Sequence, residues 1–269
     1  MQFLNSAPIS LFTVIAMCCA AFAQEAAPTA PTPGAPPRFR VPGSTGASEE
    51  SNPLAPEARK SELSDEGMAL KLRTLPSRYQ FLMIEAMKRF QLRDFKGAVE
   101  YVDRADEVLP PSAWSLNVRG AIAIELRDFE RGLKHCLDAL KLDPGFFPAK
   151  FNICEIPFLQ GRYGEARRLW GELYSVMKAG DPSNELVTYR IFLTYLLENN
   201  TTQAKEWLEK LPFPSQTPAY QFAHAAWARQ QGDMKKWDEW LQSANYIWPE
   251  MKRSEFVDVL IQLGWVKRD

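Results

Sequence analysis

From residue 79 to residue 144 the chain repeats itself at a spacing of about 34 residues. Leu82, Ala86, Leu92, Arg93, Asp94, Phe95, Ala98, Ala105 and Pro110 return without a gap as Leu116, Gly120, Leu126, Arg127, Asp128, Phe129, Gly132, Ala139 and Pro144. A further period on, Cys154, Tyr163 and Ala166 keep the size pattern, with the turn now Gln160-Gly161-Arg162-Tyr163. A unit this short cannot bury a core of its own, so copies must stack on one another. From about residue 62 the apolar residues fall at helical spacing, and no run of alternating β-branched residues suggests a strand. The expectation is an all-α fold built from helical hairpins.

Physical reasons can be given for the recurring residue types. Ala86, Gly120 and Cys154 let the two helices of a hairpin approach closely, met from the other side by Ala98, Gly132 and Ala166. Phe95, Phe129 and Tyr163 plug the end of each hairpin, and Pro110 and Pro144 stop the second helix because proline cannot continue one. This pattern resembles the tetratricopeptide repeat (TPR) family from residue 79 to about residue 251. The resemblance implies a right-handed α-solenoid of about five hairpins, beginning near Tyr79, Ala113, Phe147, Glu185 and Pro218. The fourth unit is irregular, with Asn199-Asn200-Thr201 as its turn and a second helix ending at Leu211 before Pro212 and Pro214. In the fifth, bulky Trp237 stands where a small residue is expected, and in the third Pro157 should kink the first helix. Residues 254–264 form a further amphipathic helix that caps the last hairpin, and a helix at about 62–73 caps the other end.

The resemblance also implies a concave surface lined by first helices, which receives a peptide or a partner helix. Helical phase places Met83, Met87, Phe90, Trp114, Asn117, Ile124, Phe151, Glu155, Phe158, Tyr189, Leu193, Phe222 and Arg229 there. Such an apolar, aromatic lining suits a hydrophobic helix or peptide. The competing reading assigns several of these side chains to the core between units, because a solenoid buries both sides of each helix. Six of the chain's 8 tryptophans follow residue 200; Trp227 and Trp237 read as core, while Trp248 and Trp265 stay open between core and binding surface.

Ahead of the repeats lie two other kinds of sequence. Residues 7–23 are uncharged and end in Ala21-Phe22-Ala23 before Gln24, the pattern of a secretory signal peptide over residues 1–23. An uncleaved N-terminal anchor and a lipoprotein acylated at Cys18 or Cys19 are the alternatives. Residues 24–61 hold eight of the chain's 20 prolines and few large apolar side chains, so they read as a Pro-rich disordered linker. The repeat domain then occupies residues 62–269, exported to the periplasm or secreted, with no membrane insertion after signal cleavage. Export permits disulfides, and Cys136 and Cys154 on neighbouring helices are either a bridge or, as the residue types favour, buried thiols.

Against this architecture little chemistry can be placed. A total of 32 Lys plus Arg against 33 Asp plus Glu leaves a formal charge of −1, which gives no field to gather nucleic acid. His135 and His224 fall in different units, and no HExxH, CxxC, GxSxG or phosphate-loop spacing is present. No catalytic residue, metal site or cofactor is expected. Function then reads as a non-catalytic scaffold that binds a protein or peptide outside the cytoplasm. The alternative is a structural or assembly subunit, either in an envelope complex or as a homo-oligomer.

Overall fold

The computed structural model describes residues 74–267, all of whose regular elements are helices. The expected signal peptide (1–23), the linker (24–61) and the helix at 62–73 lie outside the described residues. In chain order the helices are α1 (Leu75–Gln91), α2 (Phe95–Val108), α3 (Ala113–Glu125), α4 (Phe129–Leu142), α5 (Phe147–Leu159), α6 (Tyr163–Ser175), α7 (Pro182–Leu197), α8 (Thr201–Leu208), α9 (Ala219–Gln230), α10 (Met234–Ile247) and α11 (Glu250–Gln262). Up to α10, odd-numbered helices pair with the even-numbered ones that follow them.

One local device makes each of these pairs. The second residue after the first helix adopts a left-handed conformation, at φ 60° for Arg93, 63° for Arg127, 74° for Gly161, 58° for Asn199 and 77° for Gly232. Its amide and the next one then reach back to the helix end: Arg93 and Asp94 donate to the carbonyls of Phe90 and Arg89, both at 2.9 Å, closing a Schellman turn. Immediately afterwards Asp94, Asp128, Asn200 or Asp233 caps the second helix by accepting from the amide three residues on, at 2.9–3.2 Å. Glycine tolerates the left-handed step freely, whereas an L side chain meets a steric cost of roughly 1–2 kcal/mol. Where a side chain is used, it reaches the next pair. Arg93 Nη1 lies 2.9 Å from Glu125 Oε2, Arg127 Nη1 donates to the Leu159 carbonyl at 3.1 Å, and Asn199 Oδ1 accepts from Gln230 at 2.7 Å. Each partner sits near the end of the following first helix, so the turn residue both reverses the chain and ties one pair to the next.

Close approach of α3 and α4 depends on missing side chains. A Cβ at Gly120 would stand 2.8 Å from Cys136 Sγ and 3.3 Å from the Gly132 carbonyl, and one at Gly132 would stand 2.5 Å from Ile124 Cγ1. Both Cys136 and Cys154 are free, buried thiols; burial pushes Cys136 up to about 12 and Cys154 above its ordinary range, so both behave as small apolar residues. The described residues form two apolar clusters that meet at α5. Ala149 and Ile156 face the first cluster with α1–α4, while Phe151, Cys154 and Phe158 face the second with α6–α11. Pro157 lies inside α5, which runs through it to Leu159 as one helix.

Element ends differ modestly from expectation. Helix α1 starts a turn earlier than Tyr79, because Thr74 accepts from the Ser77 amide and Pro76 suits the first turn. In the fourth pair α8 stops at Leu208, short of Leu211, and a loop through Pro212 and Pro214 leads to α9. The last helix begins at Glu250, right after Pro249, rather than at 254. Trp237 is buried without opening the fifth pair: its ring meets Trp265 edge-on at 6.2 Å and the Arg229 guanidinium at 5.3 Å.

Candidate functional site

First helices carry the side chains expected on a concave surface, and the structure buries nearly all of them. Met83, Met87, Phe90 and Trp114 belong to the first cluster, and Ile124 is in it too. Phe151, Phe158, Tyr189, Leu193 and Phe222 belong to the second. Asn117 is buried, accepting from Asn152 Nδ2 at 2.9 Å, and Glu155 is buried against Arg190. Of the expected lining, Arg229 alone keeps substantial exposure, and its guanidinium packs on Trp237 and Trp265. Apart from Arg229, these side chains are buried within the chain instead of lining an open groove. Neighbouring helices cover these positions, and at Tyr189 and Phe222 the covering element is α11, through Phe256.

An open site remains where the first-helix face reaches the last helix. There α7, the loop before α9, and α11 enclose a cavity of about 370 Å³. Leu186, Pro218, Met251 and Phe256 give it apolar walls, and Gln216, Lys252 and Glu255 stand at its polar side. The loop that lines one side is held by Glu185, a buried carboxylate in the first turn of α7. Glu185 accepts from the amides of Gln216 (3.0 Å) and Thr217 (3.1 Å) and from the hydroxyls of Ser215 and Thr217. A carboxylate bound by two amides and two hydroxyls is well compensated, so it fixes the loop that forms one wall. Met251, at 78% exposure, forms the outer lip.

Beneath α11 lies a second polar group. Arg190 and Glu155, each about 1% exposed, pair at 2.7 Å from Nε to Oε1. Arg190 Nη2 also reaches the Glu255 carbonyl at 3.5 Å, and Tyr189 Oη donates to the Phe256 carbonyl at 3.3 Å. The ring of Phe256 stacks on Phe222 (6.0 Å, 17° between planes) and leans on Tyr189 (5.5 Å, 46°). Thus Tyr189, Arg190 and Phe222, all on first helices, hold α11 in place. Burial pushes the Glu255 carboxyl up to about 8, opposed by Arg190 and assisted by Asp258.

Sequence reasoning identified Tyr189 and Phe222 but missed Glu185, Leu186, Arg190, Met251 and Phe256. Phe256 had a visible signal as the one aromatic in the apolar stripe of SEFVDVLIQLG. Glu185 and Arg190 had none, because each is charged and on a helix that reads as apolar. Among the described residues no group of three or more His, Cys, Asp or Glu side chains converges as metal ligands, and no helix is long and apolar enough to cross a membrane. No family model matches the chain, and no curated protein matches it.

Proposed function

We propose that this chain is an exported, non-catalytic scaffold whose helical pairs stack as TPR-like repeats into a right-handed solenoid, binding a protein or peptide outside the cytoplasm. What carries the reading is the cavity between α7, α9 and α11. Its walls are apolar, its size accommodates one or two large side chains, and a loop held by four hydrogen bonds to Glu185 keeps one side preformed. Recurrence of one turn geometry, with its ties to the next pair, supports the repeat assignment. The TPR resemblance in turn makes a peptide the natural occupant.

Selection of random displayed peptides against the full chain tests this. Enriched peptides should lose at least tenfold in affinity for Gln216→Trp, which fills the cavity from an exposed position and keeps the backbone amide bonded to Glu185. Selection that enriches nothing, or peptides indifferent to the substitution, would overturn the reading. Export is tested separately: mass spectrometry of protein from its host should show a chain starting at Gln24. An assembly role has its own observation, since α4 exposes Leu133 and Leu137 on one face. Light scattering showing a dimer that Leu137→Lys dissolves would favour that reading.

A further inference from the structure

Helix α11 sits where a ligand of the first-helix face would sit, and it is held there mostly by features that any amphipathic helix could offer. The hydrogen bonds from Tyr189 and Arg190 go to main-chain carbonyls of α11, those of Phe256 and Glu255, and the Tyr189 ring leans on Phe256. Phe256, Val259 and Leu260 fill the apolar contact, a spacing of i, i+3 and i+4 that marks one helical face. The hold is modest. Three of its side chains are in the cluster where α7 commits a full stripe from Leu186 to Leu196, and only Trp248 and Pro249 separate α11 from α10. Around this joint Tyr246 and Met251 are 94% and 78% exposed.

The match is also incomplete electrostatically. Arg190 Nη1 is buried and has no hydrogen-bond partner, while Nε is satisfied by Glu155 and Nη2 makes one long bond. A charged nitrogen left in that state costs free energy that a carboxylate on an incoming helix would recover. On α11, burial pushes the Glu255 carboxyl up while Arg190 opposes that shift, and no carboxylate accepts a hydrogen bond from Arg190 Nη1.

We infer that the groove roofed by α11 is a helix-accepting site, whose partner is an acidic amphipathic helix that displaces α11. That partner places an aromatic ring where Phe256 lies, apolar residues three and four positions later, and a carboxylate against Arg190 Nη1. The inference rests on the binding reading above and names its ligand class. It makes α11 the resident occupant of the site, so a partner competes with a tethered segment and not with water.

The test uses a fluorescent peptide with the sequence of residues 249–267, titrated by anisotropy into the full chain. In the Phe256→Asp chain the resident helix is weakened, and the peptide should bind at least tenfold more tightly than to the unaltered chain. The same peptide carrying Phe256→Ala should lose at least tenfold in affinity for that variant. A Glu placed in the peptide to face Arg190 should restore or exceed the original affinity. Equal binding to both chains, or none to a Phe256→Asp chain that keeps its helical circular dichroism, would overturn the inference. If that variant fails to fold, amide exchange of the unaltered chain decides: α11 should exchange at least tenfold faster than α7, and equal protection would overturn displacement. Displayed peptides selected at the cavity without binding of the α11 peptide would sink this inference alone; absence of both would sink the binding reading as well.

Discussion

The two halves of the described chain solve the same packing problem with different materials. Helices α1–α4 follow the period closely, and their contacts are made by small residues and apolar side chains, as at Gly120, Gly132 and Cys136. Helices α7–α11 depart from it, and more charge enters the interior: Arg190 with Glu155 of α5, Glu185 with the loop before α9, and Asp258 on α11, against the single buried carboxylate of the first four helices, Glu125, which pairs with Arg93. Apolar contact is tolerant of what lies opposite. A buried charge is not, because it demands a particular partner at hydrogen-bond distance. The regular half can therefore be repeated, whereas the irregular half specifies one arrangement of α7, α9 and α11, and the open cavity is found there.

The largest effects should come from the core of either half. Arg190→Ala leaves Glu155 buried without its cation and should cost about 3–5 kcal/mol in urea unfolding. Arg119, paired with Asp103 and Asp106 at a more exposed place, should cost about 1 kcal/mol or less when changed to Ala. Comparable losses would mean that charge is no more decisive in the second half than in the first. In the first half, Trp114→Ala should cost about 3–5 kcal/mol because the ring is core. An unfolding midpoint that does not move would return Trp114 to the binding surface.

Glycine substitutions probe the comparison at a smaller scale. Gly132→Leu should destabilise by about 1–3 kcal/mol, since its Cβ alone already meets Ile124. Helix α6 offers the opposite case at Gly171, where a Cβ meets nothing within 4 Å. Gly171→Ala should stabilise by about 0.5–1 kcal/mol in the same thermal or urea assay, through helix propensity alone.

The subtlest test is pH. The folded pKa of Glu255, about 8, lies above its ordinary 4.5, so folding favours the neutral carboxyl. Its contribution is complete below about pH 4.5 and is lost as pH rises through 8. Amide exchange in α11 should accelerate relative to α7 across that window, beyond the intrinsic base-catalysed rate, and Glu255→Gln should flatten the difference. A difference that stays constant with pH in the unaltered chain would show that the second half does not depend on this charge.

Sequence alone determined the helical class, the paired organisation, and most residues of each turn. Those features are set by interactions within a few residues: a left-handed step, a cap three residues ahead, a small residue where two adjacent helices cross. Which first-helix side chains face a partner was not legible from phase, because helical phase gives a direction and says nothing about what lies in it. Only the tertiary structure decided that the expected groove residues are buried and that a cavity lies beside α11. It joined Glu155 to Arg190 across 35 residues, and Tyr189 and Arg190 to α11 across 67 and 65. No local rule demands those pairings. They follow from where the last helix comes to rest against α7 and α9, and the chemistry of the site depends on that placement.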